Sequence, residues 1–225
     1  MACAIARALH DRERVGIGVN SPIPAAGVLL AQRRHAPRLR FRLPGLEGGV
    51  AFVGSKEFFD FAQRGELDVF FLSGIQIDMS GRINLHVLGD YERPRRRFPG
   101  AFGSAVLYSV VRRVILFRTE HTPRVFVPRV DFVTAGGSPD RVVTSRAVLG
   151  FDRAAGRLVL DSYHPGQSVD SVRAATGFEL PSRSDVGETP PPTAEELRVL
   201  RDDVYPLLAA VYPGFVQRMR SAAVN

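Results

Sequence analysis

The stretch from Leu67 to Ala105, LDVFFLSGIQIDMSGRINLHVLGDYERPRRRFPGAFGSA, constrains this chain more than any other. The apolar run 67–72 has no polar face, so it reads as a β-strand buried on both sides. It ends in Ser73-Gly74. A second apolar-rich segment, Ile83 to Leu88, ends in Gly89-Asp90, and the basic, glycine-containing stretch Arg95 to Ser104 follows. Strand, glycine turn, strand, glycine loop is how α/β enzymes build a floor for a large polar ligand.

The rest of the chain carries the spacing of alternating helices and strands. Helices are expected over 2–14, 24–34, 55–64 with Ser55 as cap, 105–110 and 169–176, the last of these stopped by Gly177. Thr193-Ala194-Glu195-Glu196 is a capping box that opens a final helix. Strands are expected over 15–19, 39–43, 67–72, 114–117 and 130–134. Residues 39–43, Leu-Arg-Phe-Arg-Leu, show the period of two of a half-exposed strand. Segments 146–151 and 157–162 flank Asp152-Arg153-Ala154-Ala155-Gly156 and read as a β-hairpin. The predicted fold class is therefore α/β: a mainly parallel open sheet flanked by helices, with an added antiparallel hairpin at 146–162. Residues 1–185 read as one α/β domain. Residues 186–225, a Pro-rich segment and a helix, are expected to pack on it.

Composition narrows the function classes. The net charge of +7 invites a nucleic-acid reading, but the basic residues are spread along the chain and no nucleic-acid motif accompanies them. Lys56 is the only lysine; positive potential from arginine would instead steer polyanions such as phosphates. No apolar run approaches the ~20 residues of a membrane span, and without an apolar h-region no signal peptide is expected. The lone Cys3 suits a reducing compartment, so a cytoplasmic location is expected. His10, His35, His86, His121 and His164 lack the spacing of metal motifs, so no metal is expected. No Gly-x-Ser-x-Gly elbow, Walker loop or Rossmann fingerprint is present.

The fragments Gly74-x-Gln76-x-Asp78, Gly81-x-x-Asn84, Gly89-Asp90-Tyr91-Glu92-Arg93-Pro94 and Arg97-x-Pro99-Gly100 occur in that order. Asn20-Ser21-Pro22 and His35-Ala36-Pro37 precede them, and Val125 to Thr134 and His164-Pro165-Gly166 to Gly177-Phe178 follow. Together they resemble the second (B, or β) subunit of the family I coenzyme A transferases. The resemblance implies an enzyme that moves coenzyme A between carboxylic acids through a glutamyl-CoA thioester. Acyl-CoA and carboxylic acids would be its substrates and a homologous A subunit its partner, with no permanently bound cofactor. It places the nucleophile at Glu47, in Leu46-Glu47-Gly48-Gly49. The family's spacing sets that glutamate a few residues earlier, near Pro44. Either Pro44-Gly45 marks a short insertion and Glu47 is the nucleophile, or the catalytic position is vacant.

By the same resemblance Gly100 and Gly103 belong to an oxyanion and CoA-binding loop, and Gly74 and Gln76 line the cleft. Phe102 stands where a second glycine is usual and would line the acyl pocket. Asp78 and Asn84 flank the Ser80-Gly81 turn and are expected to serve its hydrogen bonding. Two further readings stay open: a hydrolase-like branch acting on a CoA-linked ring compound, with its carboxylate on the other subunit, and a non-catalytic scaffold or ligand-binding subunit.

Overall fold

The computed structural model describes residues 1–46 and 54–222. The chain divides into two compact units, Met1–Phe71 with Pro191–Asn225, and Leu72–Pro190. Among the described residues no helix is long and apolar enough to cross a membrane.

In the first unit, α1 (Ala2–Arg7), β1 (Arg14–Gly16), α2 (Pro22–Arg34), β2 (Arg40–Arg42), α3 (Ser55–Gln63) and β3 (Val69–Leu72) alternate along the chain. β1 pairs in parallel with β2 on one side and with β3 on the other. All four residues of β3 are buried, as a strand covered on both faces requires. Pro22 and Pro24 sit in the first turn of α2, where a missing N–H is harmless. Residues 24–31 of α2 are all buried. A Cβ on Gly27 would stand 2.5 Å from Ile5 Cγ2, so the close crossing of α1 and α2 requires glycine there. Helix α3 starts one residue earlier than Ser55 capping implied: its N-cap is the extended Gly54, with no side-chain bond.

In the second unit the elements are β4 (Gln76–Asp78), β5 (Ile83–Asn84), β6 (Val87–Gly89), β7 (Pro94–Arg97), α4 (Ser104–Val110), β8 (Arg113–Arg118), β9 (Phe126–Val127), β10 (Arg141–Thr144), β11 (Ala147–Asp152), β12 (Arg157–Tyr163), α5 (Val169–Ala174) and β13 (Ser182–Glu188). β8 and β10 are parallel, β10–β11–β12 are antiparallel, and β13 returns parallel to β12 after α5. The expected hairpin is β11–β12. Its turn is closed by Asp152 Oδ1, which accepts the N–H groups of Ala154 and Ala155 at 3.0 Å each. A small sheet β5–β4–β9 and the hairpin β6–β7 lie apart from these strands. The architecture is α/β, with mainly parallel strands, flanking helices and the added hairpin.

The segment 130–134, expected as a strand, is irregular. Two of its amides are held by side chains, Val130 N–H by Asp78 Oδ2 at 3.4 Å and Asp131 N–H by Gln76 Oε1 at 2.9 Å, while Thr134 N–H reaches Ile83 O at 2.9 Å. β13 went unseen in the sequence because its residues Ser-Arg-Ser-Asp-Val-Gly-Glu are polar, and in the fold none is buried.

The last segment folds back within the first unit. It forms α6 (Ala194–Val199), a π-helical turn at Leu200–Val204, α7 (Tyr205–Leu208) and α8 (Pro213–Ala222). The capping box is present: Thr193 Oγ1 accepts Glu196 N–H at 3.1 Å, and Glu196 Oε2 accepts Thr193 N–H at 2.8 Å. Glu196 also takes both Arg7 Nε and Nη2, at 2.8 and 2.6 Å. A bidentate pair of this kind fixes orientation as well as adding energy.

One buried group makes the second unit sensitive to acid. His121 is 2% exposed, tilted against Phe126, with Nδ1 2.8 Å from Thr144 Oγ1 and Nε2 3.1 Å from Thr176 Oγ1. Both threonine hydroxyls also donate to backbone carbonyls, Thr176 to Val172 O and Thr144 to Ala147 O. Desolvation, aided by the charge of Arg146, lowers the pKa of His121 to about 4 from 6.5. Below pH 6.5 the unfolded chain binds a proton that the fold refuses until about pH 4. Stability is therefore expected to fall across that window by up to about 3 kcal/mol from this group. Urea melts at several pH values should show the slope in the native chain and a flatter one in His121→Gln.

Candidate active site

The second unit gathers most of the residues singled out in the sequence around one buried side chain. Asn84 ends β5 and is fully buried. Its amide donates to Gln76 Oε1 at 2.7 Å and Val87 O at 2.6 Å, and its Oδ1 accepts the N–H groups of His86 and Val87 at 3.0 and 3.3 Å. Both donors and both lone pairs of the amide are used. Gln76, across the ladder on β4, has its Oε1 saturated by Asn84 and by Asp131 N–H. The Gln76 NH2 group has no hydrogen-bond partner among the described residues. Gly74 makes the arrangement possible: a Cβ there would lie 2.5 Å from Gln76 O and 3.2 Å from Asn84 O.

Asp78 is a turn residue. It is fully buried; Oδ1 accepts Ser80 and Arg82 N–H, and Oδ2 takes Arg82 Nε at 2.8 Å. With its oxygens so occupied it fastens the Gly81 turn and is poorly placed to act as a base.

The loop after β7 is the second component. Gly100, Phe102 and Gly103 have φ of +99, +35 and +69°. Two glycines adopt such angles freely, whereas a phenylalanine there stores about 1–3 kcal/mol of strain. Ala101 O is closed off by Ser104, which donates to it from N at 2.9 Å and from Oγ at 2.5 Å. The N–H groups of Gly100, Ala101 and Gly103 find no partner among the described residues. Phe102 is 75% exposed and projects from the loop.

Two residues that the sequence did not single out join this group. His86 Nδ1 lies 2.7 Å from Thr134 Oγ1, although the two are 48 residues apart. Its ring packs against Phe132, which stacks on Tyr91 with centroids 4.8 Å apart. His86 Nε2 is 3.8 Å from where a Cβ of Gly100 would sit. Nothing in a lone histidine between two apolar residues distinguishes it from a packing residue; only the pairing of distant segments does. Glu47 lies outside the described residues. Among those described, no cluster of three His, Cys, Asp or Glu side chains could hold a metal.

The unpaired N–H groups of Gly100, Ala101 and Gly103 and the Gln76 NH2 group can each donate a hydrogen bond to an oxygen. The coenzyme A transferase family model matches residues 46–175, more than half of the chain. The chain belongs to that family. It is 30% identical over 155 residues to the B-type subunit of the 3-oxoadipate CoA-transferase of Pseudomonas knackmussii, covering 62% of this chain and 59% of that protein. It is 31% identical over 175 residues to the cholesterol ring-cleaving hydrolase IpdB subunit of Rhodococcus jostii, covering 72% and 67%. Among solved structures, the decarboxylase AibA/AibB superposes with a TM-score of 0.81 at 27% identity, covering 89% of this chain and 91% of that one. The chain thus spans about 60% of the length of the transferase relative.

The network yields a stability prediction. Asn84→Ala removes one of the two partners of Gln76 Oε1 and the side-chain partners of Val87 O and of the His86 and Val87 amides, and should cost about 3 kcal/mol in urea unfolding, since each buried unsatisfied group costs about 1–3 kcal/mol. Asn84→Asp should not rescue it, because a carboxylate has no hydrogen to give Gln76 or Val87.

Proposed function

We propose that this chain is the B-type subunit of a coenzyme A transferase that works with a homologous A-type subunit and carries the nucleophile at Glu47. The observation that carries the reading is the pairing of the Gln76–Asn84 amide floor with the unpaired N–H groups of the Gly100–Gly103 loop, in a chain whose family transfers coenzyme A. The Glu47 carboxylate attacks the thioester carbonyl of the donor acyl-CoA. The CoA thiolate leaves and a mixed anhydride remains. The thiolate then attacks the glutamyl carbonyl, the donor acid departs as carboxylate, and a glutamyl-CoA thioester is left. An acceptor carboxylate attacks that thioester and the sequence runs in reverse, regenerating Glu47. Every step gathers negative charge on a carbonyl oxygen, which backbone N–H groups and the Gln76 NH2 stabilise without rearranging. No cofactor is needed, because the carboxylate supplies the electron pair and the thiolate returns it. Phe102, at the place of a usual glycine, narrows the acyl pocket in this reading.

The test is a mass measurement of the two-subunit complex after exposure to an acyl-CoA panel. The native chain should gain a CoA adduct, and Glu47→Ala should not. Turnover should fall by several orders of magnitude in that variant, because removing a covalent nucleophile removes the pathway. The similarity to the ring-cleaving hydrolase subunit favours a second reading, in which the acting carboxylate belongs to the partner. Under it, Glu47→Ala keeps most activity and no adduct forms.

Phe102→Gly gives an independent check. If Phe102 shapes the acyl pocket, relative kcat/KM values across the panel should shift by about 1–3 kcal/mol. Unchanged selectivity would remove Phe102 from the pocket.

A further inference from the structure

We infer that His86 is a substrate-binding residue of this site, donating a hydrogen bond from Nε2–H to an acyl oxygen of the ligand held at the Gly100–Gly103 loop. The inference rests on the reading above that the ligand is an acyl thioester or its acid. Thr134 lies on the Nδ1 side of the ring. Its Oγ1 accepts Leu85 N–H at 2.8 Å, and the one acceptor that its own hydrogen finds among the described residues is His86 Nδ1, at 2.7 Å. We assign the hydroxyl as the donor to Nδ1, which places the hydrogen of the neutral ring on Nε2. Nε2 has no protein partner among the described residues and is not sealed from solvent.

The orientation of the ring is determined on every side. His86 N–H is held by Asn84 Oδ1 at 3.0 Å, its carbonyl accepts Phe98 N–H at 2.8 Å, and Phe132 packs on its ring with centroids 5.1 Å apart. The bond to Phe98 ties His86 to the chain just ahead of Pro99-Gly100. Gly100 at φ +99° leaves the space beside Nε2 empty, because a Cβ there would stand 3.8 Å from it. A fixed, unsatisfied N–H next to further unpaired backbone N–H groups suits an oxygen that accepts several hydrogen bonds at once, as a carboxylate or a thioester oxyanion does.

The test uses the complex with the A-type subunit, 15N-labelled at histidine, and acetyl-CoA as the probe. In the free complex the His86 ring should show the Nε2–H pattern, and its Nε2 resonance should move on titration with acetyl-CoA. In kinetics on the best thioester of the panel, His86→Ala should lower kcat/KM about tenfold to a hundredfold, the scale of one hydrogen bond to a charged oxygen. His86→Gln, which keeps an N–H donor, should recover part of it. Thr134→Val should mix the two tautomers and give a smaller loss. The inference is overturned if Nε2 does not respond to saturating acetyl-CoA, or if His86→Ala stays within about twofold of native kcat/KM. A complex that shifts the His86 resonance but turns over no thioester would overturn the transferase reading and leave this one standing.

Discussion

The side chain on which the candidate site depends is Asn84. A fully buried primary amide is tolerated only when both its donors and its acceptor are satisfied, and here four bonds do so. Those bonds aim the neighbours. Gln76 is turned so that its carbonyl faces inward and its NH2 outward. His86 is fixed by its backbone at the start of the β6–β7 hairpin. Asp131 N–H reaches the same Gln76 oxygen, and Asp131 Oδ2 in turn holds Gly89 N–H at 2.7 Å. One amide thus orders a strand pair, a hairpin and an irregular crossing segment. In a low-dielectric interior such a network is strong when complete and costly when any member is lost.

The glycine loop solves a different problem. Backbone N–H groups normally pair within helices or ladders, so leaving several free in one place requires left-handed turns that regular structure cannot supply. Gly100 and Gly103 provide them. Phe102 shares the turn in spite of the strain, and a non-glycine residue held at such an angle marks a place that the surrounding structure over-determines. Its ring is delivered to the surface, where it adds nothing to the core of its unit.

Similar chains bear the names of a transferase, a ring-cleaving hydrolase and a decarboxylase. One scaffold can host several chemistries, and the side chains it holds in place decide which one occurs. For this chain the positions proposed to decide are the carboxylate at 47, the ring at 102 and the imidazole at 86. Each has a distinct substitution and a distinct readout.

Local rules wrote much of this protein in the sequence. The continuous apolar run of β3, the Asp152 to Gly156 turn, the Thr193 capping box and the glycines of the ligand loop each act over a few residues, so a few residues reveal them. Gly74, Gln76, Gly100 and Gly103 could be named because a short motif carries them. Where the structure departs from local expectation, non-local bonds are the cause. Residues 130–134 have a strand's composition, yet Asp78 and Gln76 take the amides of Val130 and Asp131, and the polar β13 becomes a strand only because β12 offers it an edge. His86 and Thr134 are mute alone. Tertiary structure brings them within 2.7 Å of each other across 48 residues of sequence, a pairing that no local pattern encodes.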